Sequence, residues 1–251
     1  MSELYKPNES ILLCGGKGSR LAQVTGGILP KSLVEIHGKT LLEHSLAGHP
    51  PSLINSLVFA VDFQAQQIVD WVRQQNIHQA TYFSYQADPG LVPAIQTAST
   101  YVQRDEMTTC NTDEIRLGLP LGDILATFAR QMEEGKLATM VVTPADHLYR
   151  HRLVQIRERD GHILSTRLKP EEYRSHPDAI GLVNTGFFVF SKKALEHINL
   201  AHSRDWSGLT DPLCDAGLLG AHVVRHMPYF NVGTIEEFAE ATAFFKNPVA
   251  V

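Results

Sequence analysis

Through residue 143 the sequence alternates short apolar runs with stretches of helical period, and few folds accommodate that alternation. Residues 11–14, 56–61, 81–85, 107–110 and 137–143 read as strands. Between them 40–48, 64–75, 92–103 and 121–134 read as helices. In the second of these Ala65, Ile68, Val69 and Val72 fall at i, i+3, i+4 and i+7. Strands joined by helices settle side by side in parallel, with right-handed crossovers and helices covering the sheet. The expected class is therefore α/β with a mostly parallel sheet. Ligands of such sheets bind beyond the C-terminal ends of the strands. The residues that follow the apolar runs are the first candidates for function.

The first such stretch is Leu13-Cys14-Gly15-Gly16-Lys17-Gly18-Ser19-Arg20-Leu21, with Pro30-Lys31 following. Three glycines lie within four residues. Without Cβ atoms the backbone can pass close to a ligand and aim its N–H groups at anionic oxygens. Arg20 and Lys31 bring two cations to the same loop, a combination suited to a triphosphate. Two common phosphate motifs do not fit. A Walker A loop closes with Gly-Lys-Ser/Thr, whereas this one closes with Ser19-Arg20. The dinucleotide fingerprint needs a further glycine where Leu21 stands.

The loop resembles the opening motif of the sugar-1-phosphate nucleotidylyltransferases, in which an apolar strand precedes Gly-Gly-x-Gly-Thr/Ser-Arg-Leu, a threonine and Pro-Lys. Here these are Gly15 to Leu21, Thr25 and Pro30-Lys31, followed by Leu33-Val34-Glu35-Ile36-His37-Gly38-Lys39. The resemblance extends from Ile11 to about Phe245. It implies a Rossmann-like three-layer fold of the glycosyltransferase-A type around a mixed, mostly parallel sheet. It also implies attack by a sugar-1-phosphate on the α-phosphate of a nucleoside triphosphate, giving a nucleotide sugar and pyrophosphate. Leu13, Gly15, Gly16, Gly18 and Ser19 would hold the nucleotide. Arg20 would grip the triphosphate and the leaving pyrophosphate, and Lys31 would sit at the reacting phosphates.

Later motifs follow in the family's order, some altered. Asp113, in Cys110-Asn111-Thr112-Asp113, matches the aspartate of a family Asn-Gly-Asp and would ligate Mg²⁺, with Thr112 in place of glycine. Gln86 and Gly90-Leu91 resemble the base-recognition stretch. Lys169-Pro170 resembles the end of Glu-Lys-Pro, whose lysine binds the sugar phosphate, but Leu168 stands for the glutamate. Asn184-Thr185-Gly186 resembles the stretch beside the sugar, so Asn184 and Gly186 join Lys169 as substrate-binding candidates. Asn231-Val232-Gly233-Thr234 resembles Asp-Ile/Val-Gly-Thr, with Asn231 where the family has a second metal-binding aspartate. An amide oxygen can ligate Mg²⁺ without contributing charge.

After 143 the pattern changes. Residues 153–168 form two strand-like runs about Asp160-Gly161, a hairpin turn pair. Further strands are expected at 182–190, 222–226 and 229–232, and a helix at 191–199. Residues 203–220 give no clear pattern. Thr234-Ile235-Glu236-Glu237 reads as a capping box opening a last helix to about 246. No linker is visible, so 1–251 is expected to form one domain, with a nucleotide-binding lobe over about 11–143 and a sugar-phosphate lobe over about 144–251. His147/His151 and His222/His226 are four apart, but a strand at 222–226 would separate the latter pair by roughly 13 Å, so no metal pair is expected.

The net charge of −5 argues against a nucleic-acid partner. No stretch approaches the ~20 apolar residues of a membrane span, and the first residues lack a signal-peptide core. Three scattered cysteines suit reduced thiols in a cytoplasm. The resemblance adds a homo-oligomer as an expectation. Two other readings share parts of the pattern. One is a cytidylyltransferase for a phosphocholine- or phosphonate-type acceptor. The other is a non-catalytic nucleotide-sugar-binding regulator, which Asn231 and Leu168 favour and which Arg20, Lys31, Asp113 and Lys169 oppose.

Overall fold

The computed structural model describes residues 9–86, 90–144, 153–157, 162–168, 182–198 and 204–246. Lys169-Pro170, the Asp160-Gly161 turn and His147/His151 lie outside the described residues.

The strands of the main sheet are β1 (Glu9–Leu13), β4 (Ser56–Val61), β5 (Ala80–Tyr85), β6 (Glu106–Asn111), β8 (Ala138–Pro144), β9 (Leu153–Arg157), β10 (His162–Leu168), β11 (Leu182–Ser191) and β12 (Leu219–Val223). Two short ribbons stand apart: β2 (Glu35–Ile36) with β3 (Lys39–Thr40), and β7 (Glu114–Arg116) with β13 (Tyr229–Asn231). The helices are α1 (Ala22–Thr25), α2 (Leu41–Leu46), α3 (Ala65–Gln74), α4 (Leu91–Ser99), α5 (Leu121–Glu133), α6 (Ser207–Asp215) and α7 (Ile235–Lys246).

The main sheet runs β5-β4-β1-β6-β11-β8-β12-β10-β9. β5, β4, β1 and β6 are parallel neighbours. β11 enters antiparallel between β6 and β8, and β10 runs antiparallel to β12 and β9. The sheet is thus mixed, with β10 and β11 the two reversed strands. Period-two alternation divides its core. Ile11, Val58, Met140 and Phe188 pack on the face covered by α4 and α6. Leu12, Phe59, Val141 and Phe187 pack on the face covered by α3 and α5. A third cluster, built on Leu21, Val34, Ile36, Ile115 and Val232, seats α7 beneath the loops at the strand ends.

Local chemistry explains several boundaries. Thr40 caps α2: its hydroxyl accepts from Glu43 N–H at 3.1 Å, and Glu43 Oε2 accepts from Thr40 N–H at 2.7 Å. At α7 the Thr234 hydroxyl accepts from Glu237 N–H at 3.3 Å, while Glu237 Oε2 accepts from Gly233 N–H at 2.8 Å. The glutamate therefore also fastens the loop ahead of the helix.

Three expectations are corrected. The expected helix at 191–199 is a 3₁₀ helix over Lys192–His197. The helix expected to reach 103 stops at Ser99. The strand expected at 222–226 is β12, Leu219–Val223, because Leu219, Gly220 and Ala221 pair in register with Ala138, Thr139 and Met140 of β8. A side chain at 220 would displace the Gln131 amide, which is hydrogen-bonded to Ala221 C=O and Thr139, so glycine gives that amide its room. Among the described residues, no helix is long and apolar enough to cross a membrane.

Candidate active site

β1 and β6 end side by side, Leu13 opposite Asn111, and the glycine loop opens at that edge. Gly18 takes φ +62°, and a Cβ there would lie 3.2 Å from Lys31 Cβ. Lys31 N–H donates to Gly16 C=O at 3.4 Å. The loop and the Pro30-Lys31 turn therefore fold onto one another, and the glycines permit it. Hydroxyls tie the turn to the sheet. Thr112 Oγ1 donates to Leu13 C=O at 2.7 Å and lies 2.8 Å from Ser32 Oγ. Thr112, which departs from the family glycine, is thus a strut between β1 and the turn.

A cleft of about 460 Å³ lies over this edge. Its lining includes Leu13, Gly15, Gly16, Arg20, Lys31, Gln86, Gly90, Leu91 and Asp113. Gly18 and Ser19 are not part of the lining: Gly18 lies against Lys31, and Ser19 is exposed at the start of the 3₁₀ turn Ser19–Leu21. Gln86 Nε2 donates to Gly90 C=O at 2.7 Å, which fixes the side chain beside the entry to α4. A Cβ on Gly15 would lie 3.4 Å from Gln86 Oε1, so the two candidate nucleotide elements face each other.

Lys31 and Asp113 form an ion pair on the cleft floor. The lysine side chain is 8% exposed and the aspartate 31%. Asp113 C=O accepts from Val232 N–H at 2.9 Å, which brings the 231–233 segment alongside. A Cβ on Gly233 would lie 3.4 Å from Asn231 Oδ1 and 3.6 Å from Arg20 Nη2. Arg20, Lys31, Asp113 and Asn231, drawn from distant parts of the sequence, are therefore assembled around one strand edge.

A second cavity, of about 270 Å³, adjoins the cleft and shares Asp205 and Trp206 with it. Asn184 and Asn231 line this cavity rather than the cleft. Beneath it lies a buried polar knot. Glu114 accepts from Asn111 Nδ2 at 2.8 Å, Arg116 Nη2 at 2.9 Å and Tyr229 Oη at 3.2 Å. Arg116 also donates from Nε to Thr185 C=O at 2.6 Å. Burial pushes the Glu114 carboxyl up from its ordinary range, and the Arg116 guanidinium opposes that shift. Burial, and then the Glu114 charge, pushes the Tyr229 phenol well above its usual value, so it remains a donor.

Gly186 serves this knot rather than the cavity lining. Its N–H donates to Asn184 Oδ1 at 2.8 Å, φ is +60°, and the β11–β8 register shifts between Asn184 and Phe188. A Cβ there would lie 2.5–2.7 Å from the Glu114 carboxylate oxygens and Asn111 Nδ2. Gly186→Ala is expected to cost about 2–3 kcal/mol of stability, from φ strain plus displacement of a buried carboxylate. Denaturant unfolding measures it, and a loss below about 0.5 kcal/mol would contradict so tight an approach.

The sequence reading missed Glu114, Arg116, Arg204, Asp205 and Trp206. Arg204 adds a cation to the cleft lining. The one available signal was the succession of charge and tryptophan at 204–206, which carries no recognisable period.

The nucleotidyl transferase family model matches residues 9–247. The bifunctional protein GlmU of Methanocaldococcus jannaschii is 28% identical over 76% of this chain and 41% of its own length. The UTP–glucose-1-phosphate uridylyltransferase AglF of Haloferax volcanii is 29% identical over 73% of this chain and 72% of its own. The chain spans about half or less of the length of the first two curated relatives it matches. In fold it is similar to the UDP-glucose pyrophosphorylase from Acinetobacter baumannii, with a TM-score of 0.74 at 16% identity over 96% of this chain and 95% of that one. With nearly its whole length matched, the chain belongs to the nucleotidyl transferase family, in which the sugar-1-phosphate nucleotidylyltransferases fall.

Proposed function

We propose that this chain joins a nucleoside triphosphate to a sugar-1-phosphate, releasing pyrophosphate and a nucleotide sugar. One observation carries the reading: Arg20, Lys31 and Asp113 line a single cleft at the strand edge where the glycine loop opens, and a second cavity adjoins it. Uridylyl- and guanylyltransferases acting on sugar-1-phosphates among the relatives support it.

In this reading the triphosphate lies along the backbone of Gly15 and Gly16, with its base against Gln86, Gly90 and Leu91. The sugar enters the second cavity beside Asn184. An oxygen of the acceptor phosphate forms a bond to the α-phosphorus, and the bond from that phosphorus to the β-phosphate bridging oxygen breaks. Both reactants are anions, so catalysis is mainly positioning and charge stabilisation. Arg20 and Lys31 supply that charge. No protein nucleophile is needed, and the nearby thiol is poorly suited to be one, since burial pushes Cys14 up to about 12.

We further assign Mg²⁺ to Asp113 and Asn231. Their oxygens are hard donors suited to that ion, which usually keeps waters and takes substrate phosphate oxygens. A magnesium ion would there offset phosphate charge. Among the described residues, no group of three or more His, Cys, Asp or Glu could hold a metal without substrate. We also read the fold as the glycosyltransferase-A type, with nucleotide and sugar lobes divided near residue 143.

Asn231→Asp is expected to lower the Mg²⁺ concentration for half-maximal rate severalfold, because it restores a charged ligand. An unchanged midpoint in a Mg²⁺ titration would show that residue 231 serves the second cavity alone. The reading as a whole is tested by pyrophosphate release from triphosphates crossed with hexose and heptose 1-phosphates and phosphocholine, with Mg²⁺ and with EDTA. Mg²⁺-dependent release with one sugar phosphate supports it. Release with phosphocholine alone, or silence throughout, overturns it.

A further inference from the structure

Trp206 stands where the two cavities meet and lines both. Its ring stacks on Phe188, with centroids 4.1 Å apart and planes 29° from parallel. The chain before it is held on the nucleotide side, where Leu91 N–H donates to Arg204 C=O at 3.4 Å. The chain after it is held on the acceptor side. Asp205 Oδ1 accepts from Ser207 N–H at 2.8 Å at the start of α6, and α6 carries Thr210 and Asp211 to the second cavity. The ring is therefore a partition that both halves of the site position.

Its indole N–H is shielded from solvent and has no acceptor among the described residues. Such groups are uncommon, because a buried donor forfeits its bond to water and gains nothing in return. The contact with Phe188 is a tilted stack that holds the ring from one side. A ring shift that uncovered the N–H to either cavity would satisfy the donor if an oxygen stood there. In the proposed reaction one molecule must cross this partition. The acceptor's sugar occupies the second cavity, and its phosphate has to reach the α-phosphate in the cleft.

We propose that Trp206 is a specificity-determining residue that donates its indole N–H to an oxygen of the sugar phosphate as that molecule bridges the two cavities. The proposal rests on the transferase reading for the direction in which the acceptor lies. It accounts for an aromatic wall that also carries a donor, and it separates Trp206 from the cations, which act on charge.

The chain has two tryptophans, Trp71 and Trp206. Trp71 lies on α3 and packs on the opposite face of the sheet. In Trp71→Phe the indole emission therefore reports Trp206 alone. That variant is titrated with glucose, mannose and heptose 1-phosphates, and binding to wild type and to Trp206→Phe is measured by calorimetry. Trp206→Phe keeps an aromatic partition without the donor, and a melting temperature within a few degrees of wild type verifies its fold. Expected are a saturable emission change with at least one sugar phosphate and a roughly ten- to hundredfold weaker affinity for it in Trp206→Phe, about the value of one hydrogen bond to a charged group. UTP affinity should change less than twofold. Emission unmoved by every sugar phosphate, or unaltered affinity in Trp206→Phe, overturns the assignment. Pyrophosphate release by the same Trp71→Phe protein is scored separately. Release with a silent Trp206 sinks this proposal alone, while a responsive Trp206 without release upholds it and sinks the transferase reading.

Discussion

Asp113→Asn is expected to lower turnover by about 10²–10³-fold or more, with an unfolding temperature close to that of wild type. The residue follows β6 at the strand edge, and its side chain is 31% exposed, so the fold does not depend on burying its charge. Its main-chain carbonyl, which holds Val232, survives the substitution. What is lost is the carboxylate charge, which both the proposed magnesium site and Lys31 use. Asparagine keeps the shape and one acceptor oxygen, so the variant isolates charge from packing. Turnover within a few-fold of wild type would remove Asp113 from the metal site.

Lys31→Ala is expected to depress turnover by a similar 10²–10³-fold, for a different reason. Lys31 holds a cation on the cleft floor, which both substrates reach in the proposed reaction, and its backbone is fixed by Gly16 and the crowding at Gly18. The buried stem also packs, so alanine removes apolar contact along with charge. Lys31→Met separates the two, since it keeps an unbranched stem of similar reach. Both variants should lose the rate, and methionine should restore most of any lost stability. Loss of stability with turnover intact would make the Lys31–Asp113 pair a structural contact. The partial exposure of Asp113 lets solvent screen the pair and tempers what it contributes to folding.

The parts of this molecule legible in sequence were those governed by local spacing. α3 was readable because Ile68, Val69 and Val72 repeat at helical period and all three are buried. The glycine loop was readable because three glycines and two cations lie within one short stretch. The run Asn184-Thr185-Gly186 stood out as a motif within its strand, though the cause of the break there did not. That cause is Glu114, about seventy residues away in sequence, pressing against the glycine. The polar knot of Glu114, Arg116 and Tyr229 is similarly non-local, joining β7 to β13 and β11. α6 was illegible because Gly208 and Pro212 sit inside it, and both lower helical propensity. With α6 unread, the segment before it was unread too, and so were Arg204 and Trp206. Thr112 and Asn231 were visible only as departures from a pattern. The structure gives the first a bracing role between Leu13 and Ser32, and it sets the second beside Arg20 and opposite Glu114.

The most direct test of the central claim is phosphorus NMR of the protein with Mg²⁺, one nucleoside triphosphate and one sugar-1-phosphate. Bond formation between the two substrates predicts that the sugar phosphate resonance declines as a nucleotide-sugar diphosphate pair and pyrophosphate rise in equal amounts. Asp113→Asn should abolish all three changes together. Triphosphate breakdown with the sugar phosphate resonance undiminished would contradict the account, since the cleft would then be hydrolysing a nucleotide instead of transferring it.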